Sequence, residues 1–172
     1  NNLGFTKEKI KTNLIVSSFI IIITFTISII LGKYSLLELV KYSLYYLLQI
    51  ALIEEMLYRG FIQNYLFGLR CNKYIIFFIG AVMFSLSHIP FQMYVHDNVS
   101  FSYIIQALPQ LMFTFVFHFI MCFITYKRKD ITIPTALHYA LNYLQNRSDK
   151  IRRQFHILGH PYLFLLGHHP ES

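Results

Sequence analysis

Glu54-Glu55-Met56-Leu57-Tyr58-Arg59 is the stretch whose reading decides the fold. It sets two carboxylates and a guanidinium inside an otherwise apolar helical run from Leu36 to Leu69. A charge near the bilayer centre costs roughly 2.5–3.5 kcal/mol on insertion scales, so ionisable groups in such a run are functional candidates. Glu55 and Arg59 are four residues apart, about 40° around a helix, and can form an ion pair. Glu54 lies about 140° from Arg59 and shares its stripe with Tyr58 instead. One carboxylate thus has a fixed partner, and the other can face something else. A polar clamp between buried helices, or an interfacial segment, would give the same pattern, so the stretch alone leaves both open.

Composition places the run in lipid. Of 172 residues, 55% are hydrophobic and 13% charged, against about 25% charged in a soluble domain. Mean hydropathy is +0.47. There is too little polar surface to cover a soluble fold, and the 17 Phe, 13 Tyr and Ile-rich runs fit burial in a membrane. The net charge of +7 sits mostly beside apolar runs, as cytoplasmic anchors do, and does not indicate nucleic acid. Cys71 in a loop and Cys122 in an apolar run form no disulfide framework. The chain begins without methionine, which reads as trimming or a fragment.

Working outward, Leu14–Leu31 is about 27 Å long as a helix, enough to span, and too long for a signal-peptide core. Leu36–Phe67 is a long second helix whose later half turns polar at Arg59, Gln63 and Asn64. Ile75–His88 is a third helix, expected to end at Pro90. Residues 90–101 read as a polar loop, and Ile104–Tyr126 as a fourth span with a kink at Pro109. Pro134 suits the first turn of a fifth, shorter helix ending near Tyr143 or Leu144. The expected fold is an all-α polytopic membrane bundle of about five helices, four clear spans plus a shorter buried one. Residues 1–146 form the embedded core, and 147–172 a basic then apolar tail, poorly ordered. The basic N-terminus and the segments at Arg70–Lys73 and Lys127–Lys129 are expected on the cytoplasmic side. His156, His160, His168 and His169 could form a metal tract, but a disordered terminus is the better reading.

Two further polar clusters interrupt apolar helices: Phe84-Ser85-Leu86-Ser87-His88 and His138-Tyr139-Ala140-Leu141-Asn142, each pairing side chains four apart on one face. A lone buried histidine is most often a satisfied core group. Two histidines, an asparagine and a carboxylate pair in one small apolar chain are harder to dismiss. Helices two and three should form a hairpin turning near Cys71, and Glu54 and His88 lie equally far from that point. They should therefore stand at one level and could share a water.

The three clusters match the patterns EExxxR, FxxxH and HxxxN, in that order, over Glu54 to Asn142. In this the chain resembles the CPBP family (CAAX protease and bacteriocin-processing, also called Abi), which includes the eukaryotic Ras-converting CAAX endopeptidase. Each motif alone is weak; the ordered set is specific. The resemblance implies an intramembrane endopeptidase in which Glu54 and His88 activate a water, and His138 and Asn142 stabilise the oxyanion. Glu55 and Arg59 would hold the geometry, with Phe84 in support. It also implies a bacterial cell-membrane protein with its site toward the cytoplasm, and a membrane-associated peptide or protein as substrate: a bacteriocin or pheromone precursor, or a CAAX-type chain. No cofactor is expected, since no HExxH is present. The alternative is a zinc on Glu54, His88 and His138. Competing functions are a non-enzymatic bacteriocin-immunity or peptide-binding membrane protein, and a small transporter or ion-path protein.

Overall fold

The computed structural model describes residues 4, 5, 7, 9–32, 35–95 and 100–157. Five helices make the bundle, and no strand occurs among the described residues. Helix α1 is Ile10–Ile30. Helix α2, Leu36–Gly68, opens on a capping box. In that box the Ser35 hydroxyl accepts from the Glu38 N–H at 3.3 Å, and the Glu38 carboxylate accepts from the Ser35 N–H at 3.0 Å. Its 33 residues make it about 50 Å long, well beyond the hydrocarbon thickness. Two wider, π-helical segments, Tyr45–Ala51 and Met56–Ile62, bracket the short α-helical stretch Leu52–Glu55. Such turns recur at functional sites because they re-aim side chains without ending the helix.

Helix α3, Lys73–Val95, runs through Pro90, where the sequence reading placed its end. Proline removes one rung of the helix ladder. Pro90 is exposed, so its ring displaces no packed neighbour, and the helix continues beyond it. Helix α4, Phe101–Arg128, contains Pro109 and is longer at both ends than Ile104–Tyr126. Ser100 starts it, its hydroxyl accepting from the Tyr103 N–H at 3.3 Å. Helix α5, Thr132–Ile157, follows Asp130, whose carboxylate accepts from the Thr132 N–H at 2.7 Å. It passes the predicted end near Leu144 because residues 145–157 are polar but rich in Gln, Lys and Arg, which favour helix. Of the tail histidines, His160, His168 and His169 lie outside the described residues.

Helix α1 packs along α5, and α3 along α4. The first turns of α5 are buried almost all round, so α5 forms the centre, although it is not one of the four helices apolar enough to cross a membrane. Tyr139 and Tyr143 stack at 5.3 Å against Ala51. The Tyr139 hydroxyl meets Ser43 at 2.8 Å, and the Tyr143 hydroxyl donates to the Leu39 carbonyl at 3.2 Å, fastening α5 to α2. Polarity is inverted relative to a soluble bundle. Helix α1 buries Asn13, Ser17, Thr24 and Ser28 while Ile15, Phe19, Ile22 and Ile30 face outward. Small and weakly polar residues let membrane helices approach closely where lipid already satisfies the apolar ones. The molecule is the expected all-α polytopic membrane bundle.

Candidate active site

The centre is built on Glu55. Its carboxylate is fully buried and forms an ion pair with Arg59 one turn along α2 at 3.1 Å. Arg59 is itself 1% exposed, so the two ionised groups remain in the interior only as a pair. The same Glu55 oxygen accepts from His138 Nδ1 at 3.0 Å, which joins α5 to α2. The other imidazole nitrogen, Nε2, lies 3.5 Å from Glu54 Oε2. His138 therefore stands between the two carboxylates. A neutral imidazole carries one N–H; with Nδ1–H given to Glu55, Nε2 presents a lone pair toward Glu54. Glu54 is 35% exposed, whereas Glu55 is closed off, so only Glu54 is open to water and substrate.

Phe84 on α3 is the hub around which the imidazoles gather. Its ring lies 4.7 Å from His88 and 5.9 Å from His138, with Tyr58 edge-on at 4.6 Å and the Arg59 guanidinium at 5.3 Å. Ser85, next to it, donates to the Leu111 carbonyl at 2.8 Å and ties α3 to α4. His88 Nδ1 lies 2.9 Å from the Phe84 carbonyl of its own helix. A carbonyl only accepts, so Nδ1 carries the hydrogen and the neutral ring keeps its lone pair on Nε2. Equal distances from Cys71 place Glu54 and His88 at one level. Among the described residues the direct contact of Glu54 is with His138, and the His88 ring shares the Phe84 face instead.

The structure adds His118, which the sequence reading passed over. It sits on α4 at 2% exposure, hydrogen-bonds Arg59 through Nδ1, stacks on Phe84 at 3.2 Å and meets His138 edge-on at 5.2 Å. Its signal was the spacing Leu111, His118, Cys122, Thr125, the inward face of an otherwise apolar helix. Gln63, one turn after Arg59, donates to the Cys122 carbonyl at 3.0 Å and adds a second link from α2 to α4. Asn142 lies half-buried one turn beyond His138 and makes no hydrogen bond among the described residues. As for zinc, no three His, Cys, Asp or Glu side chains among the described residues gather in an arrangement that could hold a metal. His138 and His88 each use Nδ1, toward Glu55 and the Phe84 carbonyl, which leaves Nε2 as the nitrogen of each ring turned to the site.

Beside this centre lies an apolar cleft of about 220 Å³ between α1, α2 and α5. Leu14, Ser17 and Ile21 form one wall, Leu48 and Leu52 another, and Thr135 a third. Leu52 and Thr135 stand one turn before Glu55 and His138, and neither carboxylate lines the cleft itself.

Fold and site together define an integral, multi-pass membrane protein with a polar Glu–Arg–His centre enclosed by its helices. The model of the type II CAAX prenyl endopeptidase Rce1-like family matches residues 35–144, and the chain belongs to this family of membrane proteases. The match takes in α2 to the middle of α5, and with them every residue of the centre; α1 lies outside it. No curated protein and no solved structure matches the chain significantly.

Proposed function

We propose that the chain hydrolyses a peptide bond in a membrane-associated peptide or protein, with Glu54 activating the water. The observation that supports this is the unequal treatment of two adjacent carboxylates. Glu55 is fully buried and spent on Arg59 and His138, while Glu54 is 35% exposed with an imidazole at 3.5 Å. Glu54 takes a proton from a bound water, and the hydroxide attacks the scissile carbonyl. His88 Nε2, left with its lone pair by the Nδ1 bond to Phe84, accepts from the same water and aims it. The oxyanion forms on the side of α5, where the Asn142 amide donates to it, an effect worth several kcal/mol in a dry site, and His138, held by Glu55, keeps Glu54 in place. The proton on Glu54 passes to the leaving amine as the tetrahedral intermediate collapses. Each step moves protons among residues of this chain, as in a glutamate-type peptidase.

The substrate we favour carries a hydrocarbon next to the cleaved segment. The family's description names prenylated CAAX chains. The cleft beside the carboxylates is lined almost wholly by apolar atoms, which suits an isoprenoid or a strongly apolar peptide such as a bacteriocin or pheromone precursor. The test compares membrane peptides by mass spectrometry from cells making the wild type or Glu54→Gln. Products present only with the wild type are expected, and they name the substrate. Identical profiles, with both proteins folded and inserted, would overturn the reading in favour of a non-enzymatic immunity or peptide-binding role.

A further inference from the structure

At the end of the bundle where α2 turns into α3 and α4 into α5, three lysines converge on aromatic rings. Lys73, the first residue of α3, holds its ammonium 5.6 Å from the centre of the Tyr126 ring, and Lys129, just past α4, holds its own 4.4 Å from the same ring. Lys127 lies 5.7 Å from Phe123 one turn earlier. The platform is rigid, because Phe67 of α2 stacks on Tyr126 at 5.4 Å and Phe77 of α3 meets it edge-on at 5.6 Å. The backbone also turns basic groups to this end. Arg70 and Lys129 occupy left-handed positions (φ 56° and 58°) in the two turns, a conformation ordinarily left to glycine or asparagine.

The carboxylate next to Lys129, Asp130, is buried and accepts from the Thr132 N–H, and among the described residues none of these three lysines forms an ion pair. Two ammonium groups facing one ring repel each other. The π face offsets part of this, and an anion between them would offset far more. Tyrosines at the ends of spans lie at headgroup level. The anion available there is a phospholipid phosphate, which attracts basic groups close to the membrane surface.

We propose that Lys73 and Lys129, with Lys127 beside them and Tyr126 as floor, bind the phosphate of an anionic phospholipid headgroup. The site is independent of peptide hydrolysis and fixes the depth at which α2, α3 and α4 sit. The test uses the full chain in nanodiscs of equal parts phosphatidylcholine and phosphatidylglycerol, with retained lipid read by native mass spectrometry. The wild type should retain phosphatidylglycerol in preference to phosphatidylcholine. The double variant Lys73→Gln/Lys129→Gln should lose that preference by about fivefold for each lysine removed. Lys73→Arg/Lys129→Arg should keep it, and Lys41→Gln, which removes a charge from the opposite half of α2, should not change it. Equal retention by the wild type and the double Gln variant, or an equal loss with Lys41→Gln, would overturn the proposal. Displacement of the lipid by millimolar inorganic phosphate would overturn the lipid as the source of the anion.

Discussion

At the residue scale, the two glutamates should respond oppositely to substitution. Glu54→Gln keeps the side chain's size and leaves Arg59 paired, so thermal stability in detergent should change by no more than about 0.5 kcal/mol. Peptide cleavage should fall by about 10²–10⁴-fold, the usual contribution of a positioned general base. Glu55→Gln removes the charge partner of a guanidinium that is 1% exposed. Breaking a buried pair from one side costs about 3–5 kcal/mol, and thermal unfolding should show a loss of that order. If Glu54→Gln unfolds the protein and Glu55→Gln does not, the roles are reversed. His118→Leu tests the third contact on Arg59. It leaves Arg59 Nη2 with only the long bond to the residue-118 carbonyl, 3.5 Å in the wild type, and should cost about 1–3 kcal/mol, again read by thermal unfolding. The Glu55–Arg59 pair was legible in the sequence because it is local, four residues along one helix. His118 was not, because its partner Arg59 lies on another helix and only packing brings them together. Glu54 meeting His138 rather than His88 has the same origin. A hairpin argument fixes depth along two helices, but it does not show that the central α5 is inserted between them.

At the scale of elements, hydropathy located the spans well and their ends poorly. Lipid rewards apolar length, so α1, α2 and α4 stand out. The helices themselves stop only where backbone hydrogen bonds fail. Pro90 costs α3 one such bond without stopping it, and the polar residues beyond Asn142 continue α5 because they are good helix formers. The inverted face of α1 yields a prediction at this scale. Ser17 and Ser28 are 6% and 0% exposed on the side toward α5, and Ile15 and Ile22 are on the lipid side. Ser28→Leu should force α1 from α5 and destabilise the bundle by about 1–3 kcal/mol through overpacking, while Ile22→Leu should be close to neutral. Thermal unfolding of the two variants in one detergent checks the ordering. A Ser28→Leu protein as stable as the wild type would mean that α1 is not packed by its polar stripe. Since α1 lies outside the family match yet walls the apolar cleft, Ser17→Phe should also fill part of that cleft.

At the scale of the whole molecule, three basic segments meet at one end, while Arg147, Lys150, Arg152 and Arg153 lie far along α5 from it. The Gly4 carbonyl accepts from the Ile131 N–H at 2.9 Å, which brings the N-terminal segment beside the turn after α4. The Arg70–Lys73 turn reaches the same end through Lys73 and Tyr126. On the positive-inside rule we propose that this end faces the cytoplasm. From it the centre is shallow, since His138 is about 9 Å along α5 from Thr132 and Arg59 about 17 Å along α2 from Arg70. A substrate on the cytoplasmic leaflet would meet Glu54 without crossing the membrane. The two native cysteines make the orientation measurable without engineering. Cys71 is exposed in the turn between α2 and α3, and Cys122 is buried in α4. A membrane-impermeant maleimide should label Cys71 in inverted vesicles and leave intact spheroplasts unlabelled, with Cys122 silent in both until the protein is unfolded. Labelling of Cys71 from outside would invert the topology. The carboxylates would then open toward the outer leaflet, and only a substrate that has already crossed the membrane could reach them.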